Sequence, residues 1–212
     1  MQKSNKYYSE TRPELLKYYP IGIKKLLDIG CSSATFSSTL KSRSPIEIWG
    51  IEMNQASAEV AKQKIDKVLV GDVNEIVETL SINYFDCIGC NDILEHLYNP
   101  EDLLVNLKKT ISEDGILITS IPNFLIISNL KNLLLWREWN YTEEGTLDFT
   151  HIRFFTKKSI VKMFKRAGYE IINIEGINET GGWKWKLFNL LTFGFFREFG
   201  YIQFVCIAKP LK

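Results

Sequence analysis

No stretch of this chain stays apolar long enough to cross a bilayer. Its two longest apolar runs, FLIISNLKNLLLW and LFNLLTFGFF, are interrupted and fall short of the ~20 residues a membrane-spanning helix requires. The first ten residues, MQKSNKYYSE, lack the apolar core of a secretion signal, so export is not expected. An excess of charge is also missing. Lys and Arg number 26 against 25 Asp and Glu, a net of +1, which argues against the clustered basic face that a nucleic-acid partner normally needs. Cysteine is sparse: Cys31, Cys87, Cys90 and Cys206 are too few and too scattered for a disulfide framework, and a cytoplasmic location is expected. Cys87 and Cys90 do form a C-x-x-C, but they lie in FDCIGCN, which reads as a strand. Residues three apart in a strand point to opposite faces, so a zinc or redox pair is not expected there.

What is present is an alternation. Apolar strand candidates occur at KLLDIG (25–30), EIWGIEM (47–53), KVLVGD (67–72), FDCIGC (85–90) and GILITSI (115–121), with helical patterns in the gaps. Strands apolar on both faces and separated by helices predict an α/β fold, a parallel sheet covered on both sides. Beyond Pro122 the pattern changes to an insertion, at about 123–150. A helix follows from Thr156, its N-cap, to Ala167, with Gly168 as the stop. Two more strands, YEIINIEG (169–176) and YIQFVCIAK (201–209), enclose a second, aromatic insertion at about 177–200. With 45% apolar residues and no repeat or linker, a single domain over residues 1–212 is expected.

Glycine is short where it matters most. The stretch LLDIGCSSATF joins strand to helix through a turn with one glycine, Gly30, and places Ser32 and Ala34 where a dinucleotide loop carries its second and third. Those glycines serve close approach to pyrophosphate and helix–strand packing. Serine still tolerates a less bulky, cationic ligand, and alanine keeps the packing close. Asp28 before the turn disfavours a pyrophosphate and favours a positively charged amino-acid moiety. Glu52 ends the second strand roughly 20 residues after Gly30, the spacing of an acid that binds a ribose diol. Asp72 ends the third strand and Asn91 the fourth, so polar groups converge at the carboxyl ends of neighbouring strands, where open α/β sheets bind ligands.

On these residues the chain resembles the class I S-adenosylmethionine-dependent methyltransferases over nearly its whole length. LLDIGCSSATF is similar to the family's glycine loop, GIEMN to its ribose-acid segment, GDV to its adenine segment and CNDILEHLYNP to its post-strand-four motif. The resemblance implies a Rossmann-like, doubly wound, seven-stranded sheet whose last strand is antiparallel. It also implies S-adenosyl-L-methionine as donor, held by Asp28, Gly30, Cys31, Ser32, Glu52, Met53, Asp72, Val73 and Asn91, with Ala34 as the departure from the usual last glycine. A narrower resemblance rests on LDFTHIRFFTKKSIVKMFKRAGYEI and YYSETRPELLKYYP. It points to the ubiquinone-synthesis-like branch often associated with surface polysaccharides. Under it the acceptor is a small molecule, a sugar hydroxyl or carboxyl that is nucleotide- or lipid-linked, with Tyr8, Arg12, His151 and Arg153 on the acceptor side.

Catalysis is expected at His96. If NDILEHL forms a helical turn, Asp92 and His96 share a face while Glu95 and His96 diverge, and a histidine oriented by that carboxylate takes the acceptor's proton. The competing reading is a histidine that only caps or packs. His151 and Arg153 alternate and would face the same way, Arg153 gripping an anionic group by its fork; the alternative is an Asp148–Arg153 ion pair that anchors the insertion. Trp136, Trp139, Trp183, Trp185, Phe193, Phe195 and Phe196 suit core or a homodimer interface, an acceptor cover, or shallow peripheral contact with a membrane. No metal is required for direct transfer, although Asp92, Glu95 and His96 carry ligand atoms. Two other classes compete: a nicotinamide-dependent oxidoreductase on the same strand–loop–acid geometry, and a donor-binding scaffold without catalysis.

Overall fold

The computed structural model describes residues 11–211. Seven strands form one sheet in the order β3-β2-β1-β4-β5-β7-β6. They are β1 (Lys25–Ile29), β2 (Glu47–Glu52), β3 (Lys67–Val70), β4 (Phe85–Asn91), β5 (Ile111–Pro122), β6 (Tyr169–Glu179) and β7 (Tyr201–Pro210). The first five pair in parallel, and β7 runs antiparallel to both β5 and β6. The expected doubly wound sheet with a reversed last strand is therefore what the chain builds. Strand order reverses between β1 and β4, and a reversal of this kind opens a crevice at the carboxyl ends of the two strands.

Helices α1 (Thr35–Arg43), α2 (Gln55–Ala61), α3 (Val73–Glu78), α4 (Pro100–Leu107) and α6 (Lys157–Arg166) follow strands or lead into them. Thr156 caps α6 as predicted. Its hydroxyl accepts the Ser159 N–H while the Ser159 hydroxyl accepts the Thr156 N–H, and Gly168 ends the run at φ +78°, a left-handed turn that only glycine takes without strain.

Two apolar cores pack on the two faces of the sheet. Leu27, Ile29, Ile88 and Cys90 belong to one, and Leu26, Ile48 and Cys87 to the other. Cys87 and Cys90 thus lie on opposite faces, and all four cysteines are free and buried. Burial on both faces holds for β1, β4 and the carboxyl half of β5, while the outer strands β3 and β6 keep exposed positions. Two boundaries move. β5 begins at Ile111, pairing Phe85 with Ile111 across a bulge, and β6 runs on to Glu179, so the second excursion covers residues 180–200.

Both excursions leave from the carboxyl edge of the sheet. One follows β5 and holds α5 (Ile127–Lys131) and a π-helical turn, Asn132–Trp136; the other, between β6 and β7, holds α7 (Trp183–Leu191). Most of the aromatic residues are not core, contrary to one of the readings above. Trp136, Trp139, Trp183, Phe193 and Phe195 are exposed, while Trp185 and Phe196 are half-buried.

Candidate active site

The glycine loop keeps the geometry of a glycine-rich turn without the glycines. Gly30, Ser32 and Ala34 all adopt φ between +52° and +69°, a region costing a non-glycine residue roughly 1 kcal/mol or more. Ala34 is fully buried, so its single methyl supplies the close helix–strand approach for which larger side chains have no room. The Gly30 and Cys31 N–H groups both donate to the Ile51 carbonyl, at 2.8 and 3.1 Å. Gly30 is required by its neighbour as well as its φ: a Cβ there would stand 2.0 Å from Cδ1 of Ile93. That contact lays the segment after β4 directly over the loop.

Glu52 is the hub of this half. One carboxylate oxygen accepts the Ser32 N–H and the other the Asn54 N–H, both at 2.8 Å. The acid at the end of β2 is thereby tied to the loop it was expected to serve. Asp28 is buried and bonded by the Ser37 hydroxyl of α1. Burial, reinforced by the charge of Glu52, raises its pKa to about 7 although the Ser37 bond opposes the rise. Cys31 and Val73, expected at the donor, turn their side chains into the two cores; only their main-chain atoms remain for a ligand. The Cys31 thiol is pushed far up by that burial. Asp72 caps α3, accepting the Asn74 N–H at 2.8 Å, and Met53 beside Glu52 is exposed.

Asn91 ends β4. Its amide nitrogen donates to the Tyr19 hydroxyl at 2.9 Å, while its buried Oδ1 has no hydrogen bond among the described residues. An acceptor left this way suits a ligand that brings an N–H or O–H, since an unmet buried polar atom costs roughly 1–3 kcal/mol. Tyr19 was not anticipated. Its hydroxyl lies where a side chain at Gly89 would collide with it, a long-range fit that no local pattern announces.

Beyond Asn91 the expectations need correction. Residues 94–96 form a 3-10 turn and Asp92 has φ +53°, so Asp92 and His96 do not share a helical face. Asp92 instead accepts from Arg12, Ser120 and Gln203. Arg12, expected on the acceptor, spends its guanidinium on Asp92, Glu14 and Gln203. Tyr8 lies outside the described residues.

The carboxylate beside the histidines is Glu95. His96 and His151 meet edge to face, ring centroids 4.8 Å apart, and His151 Nε2 is 3.9 Å from Glu95 Oε1. Carbonyl oxygens of Thr150 and Thr146 lie 3.2 Å from Nδ1 of His96 and His151 respectively. Each carbonyl can only accept, so Nδ1 carries the proton in both neutral rings and Nε2 is the nitrogen with the lone pair; that of His96 is buried. Glu95 is 1% exposed, and its carboxyl oxygens meet no other residue's hydrogen bond among the described residues. Burial lifts its pKa to about 8, opposed by its own main-chain N–H and by the charge of Arg12, with Asp148 adding to the rise.

His151 reaches this cluster because the main chain of Ile152 and Arg153 donates twice to the Glu95 carbonyl, at 3.0 Å each. The Arg153 side chain goes elsewhere. It is exposed, and its Nε and Nη2 donate to the Tyr98 carbonyl at 3.1 and 2.5 Å, so the expected common face with His151 does not exist. The Asp148–Arg153 pairing is replaced too: Asp148 Oδ1 accepts the N–H and hydroxyl of Thr150. Glu95, His96 and His151 hold ligand atoms within 4.8 Å of one another, the one such group among the described residues. A carboxylate and two imidazoles also make a donor set that suits a divalent ion.

Comparison with known proteins agrees with this geometry. The family described as "Methyltransferase domain" matches residues 3–174. The ubiquinone biosynthesis O-methyltransferase of Neisseria meningitidis is 24% identical over 162 residues, covering 73% of this chain and 67% of that protein. Its mitochondrial counterpart from Schizosaccharomyces pombe is 27% identical over 161 residues, 73% of this chain and 58% of its own length. Among solved structures, a SAM-dependent methyltransferase from Archaeoglobus fulgidus superposes with a TM-score of 0.73 at 21% identity, covering 93% of this chain and 91% of the other.

Proposed function

The chain belongs to the methyltransferase-domain family, and on that premise we propose that it moves a methyl group to an oxygen of a small-molecule acceptor, with His96 as the base. Family membership and sheet order make it a class I S-adenosylmethionine-dependent methyltransferase. The donor, when bound, supplies a methyl group made electrophilic by a sulfonium charge. The residues at the β1–β4 crevice suit that ligand: a half-exposed Glu52 for hydroxyls, exposed Met53 for a flat ring, main-chain N–H groups at Val73, and the unmet Asn91 Oδ1 for an amine.

The observation that carries the reading is the contact of Ile93 with Gly30. It supports a reading in which the turn that holds His96, three residues on, approaches the donor loop. His96 would take the acceptor's hydroxyl proton on Nε2 as the new oxygen–carbon bond forms. In its ionised form the Glu95 carboxylate, within 4.8 Å of both rings, would stabilise the imidazolium formed on His96. Positioning supplies most of the remaining acceleration.

Oxygen as the acceptor atom is supported by the relatives, which are O-methyltransferases by name. A sugar of surface polysaccharide synthesis, nucleotide- or lipid-linked, is the acceptor favoured by the THIRFFTKKS segment. Incubation with methyl-labelled donor and a panel of sugar nucleotides, lipid-linked sugars and phenols tests this. Label recovered as an O-methyl ether or ester supports the reading; label only on nitrogen or carbon, or none with any acceptor, rejects it. Calorimetry with S-adenosylhomocysteine beside NAD separates the donor from the nicotinamide alternative.

A further inference from the structure

The β6–β7 excursion has its own small interior. Trp185, Phe188, Phe196 and Phe199 stack in sequence, with ring centroids 5.2–5.6 Å apart, and Trp185 packs so closely on Gly181 and Gly200 that neither could carry a side chain. The Thr180 N–H bonds the Gly200 carbonyl at 2.6 Å and closes the base. Phe188 keeps 42% of its surface exposed even in this stack, and beyond it a second set of large apolar residues is left outside. Trp183, Leu190, Leu191 and Phe195 are each 70% exposed or more, and Phe193 is 100% exposed. Phe193 and Gly194 turn the chain in left-handed conformations, φ 51° and 76°, which makes the fully exposed ring the tip of the excursion.

Charge accompanies this face. From Gly182 to Arg197 the segment carries Lys184, Lys186 and Arg197, all exposed, and no acid. No helix among the described residues is long and apolar enough to cross a membrane. An amphipathic helix with aromatic and leucine residues beside lysines lies instead in the headgroup layer, its apolar side chains below and its cations level with phosphates. A second copy is a poorer occupant, because a two-fold contact through this face would set the same three cations against themselves.

We propose that the α7 excursion, led by Phe193 and Phe195 and flanked by Lys184, Lys186 and Arg197, docks the protein on an anionic lipid surface. Because β6 and β7 deliver it to the carboxyl edge of the sheet, docking turns the edge that carries the active site toward the bilayer.

The test is co-sedimentation of the full chain with vesicles of phosphatidylcholine alone and with about a quarter phosphatidylglycerol. The wild type should sediment with the anionic vesicles and blue-shift its tryptophan emission. The double substitution Phe193→Ser, Phe195→Ser should lower partitioning at least about tenfold. Lys184→Glu with Lys186→Glu should lower it on anionic vesicles only, by roughly fivefold or more for each cation and so about 25-fold or more for the pair. Unchanged melting temperature and S-adenosylhomocysteine affinity in the variants separate lost docking from misfolding. The proposal fails if the wild type ignores both vesicles, if binding is blind to lipid charge, or if either double variant binds like wild type. It also fails if light scattering shows a dimer that Phe193→Ser dissolves, since the face then belongs to a second copy.

Discussion

The loops after β1 to β3 and the segment after β4 rest on one sheet edge, yet they treat their carboxylates in opposite ways. Glu52 stands half-exposed and accepts two main-chain N–H groups, so a ligand hydroxyl can replace a donor it already knows at little cost. Glu95 is buried, its carboxyl oxygens meet no other residue's hydrogen bond among the described residues, and it is driven to a pKa of about 8. The first arrangement suits recognition; the second holds its proton until higher pH or a nearby positive charge favours ionisation. Under the proposed function binding and chemistry are divided between the two sides of the β1–β4 reversal, and substitutions should separate them.

The largest effect is expected from His96→Ala. Turnover should fall by ~10²–10⁴, while S-adenosylhomocysteine affinity stays near that of the wild type, because the donor loop is untouched. Steady-state kinetics beside calorimetry would measure this. A fully active variant would sink the assignment of His96 as base and erase the division of labour.

Next comes a pH effect on stability. A carboxyl whose pKa rises on folding keeps in the native state a proton that the unfolded chain releases, so stability falls as pH rises between the two values. For Glu95 the window runs from about 4.5 to about 8, and for Asp28 from about 3.8 to about 7. The combined decline should be on the order of 5–10 kcal/mol. Denaturant titrations across pH should show it, and Glu95→Gln should flatten its upper part. A slope unaltered by that substitution would place the buried charge elsewhere.

Glu52→Ala sharpens the other side of the comparison. Loss of the acceptor for ribose hydroxyls should weaken S-adenosylhomocysteine by roughly 1–3 kcal/mol with no comparable fall in saturated turnover. Equal affinity in calorimetry would remove Glu52 from the donor site.

The smallest expected effects concern groups already committed within the protein. Ser32→Gly should raise stability by up to about 1 kcal/mol by relieving a left-handed serine at φ 52°, visible as a small rise in melting temperature. Arg153→Lys should alter stability by less than about 0.5 kcal/mol, as for other surface positions, and leave donor affinity alone. A several-fold rise in acceptor KM with that variant would show that its bond to Tyr98 gives way to substrate.

Much of this was legible locally. The alternation of apolar strands with helices, Gly168 after α6, Thr156 before it, and Glu52 at its distance from Gly30 follow from backbone conformation and side-chain period, which neighbouring residues decide. The opposite facing of Cys87 and Cys90 follows from strand geometry alone. Glu95 shows where that reading stops: adjacent to His96 in sequence, it was expected to diverge, yet the folded chain brings ligand atoms of Glu95, His96 and His151 within 4.8 Å of one another.

The sequence by itself determined the sheet, its glycine loop and the acid that answers it, because period, turn chemistry and spacing are properties of contiguous residues. Tertiary structure decided who meets whom: Tyr19 with Asn91, Ile93 over Gly30, Arg12 on Asp92 in place of a ligand, and His151 carried to Glu95 and His96 by two main-chain hydrogen bonds. These pairings join residues 54 to 80 positions apart or cross between sheet and excursion. Their strength comes from burial and low dielectric, which exist only once the chain has closed around them.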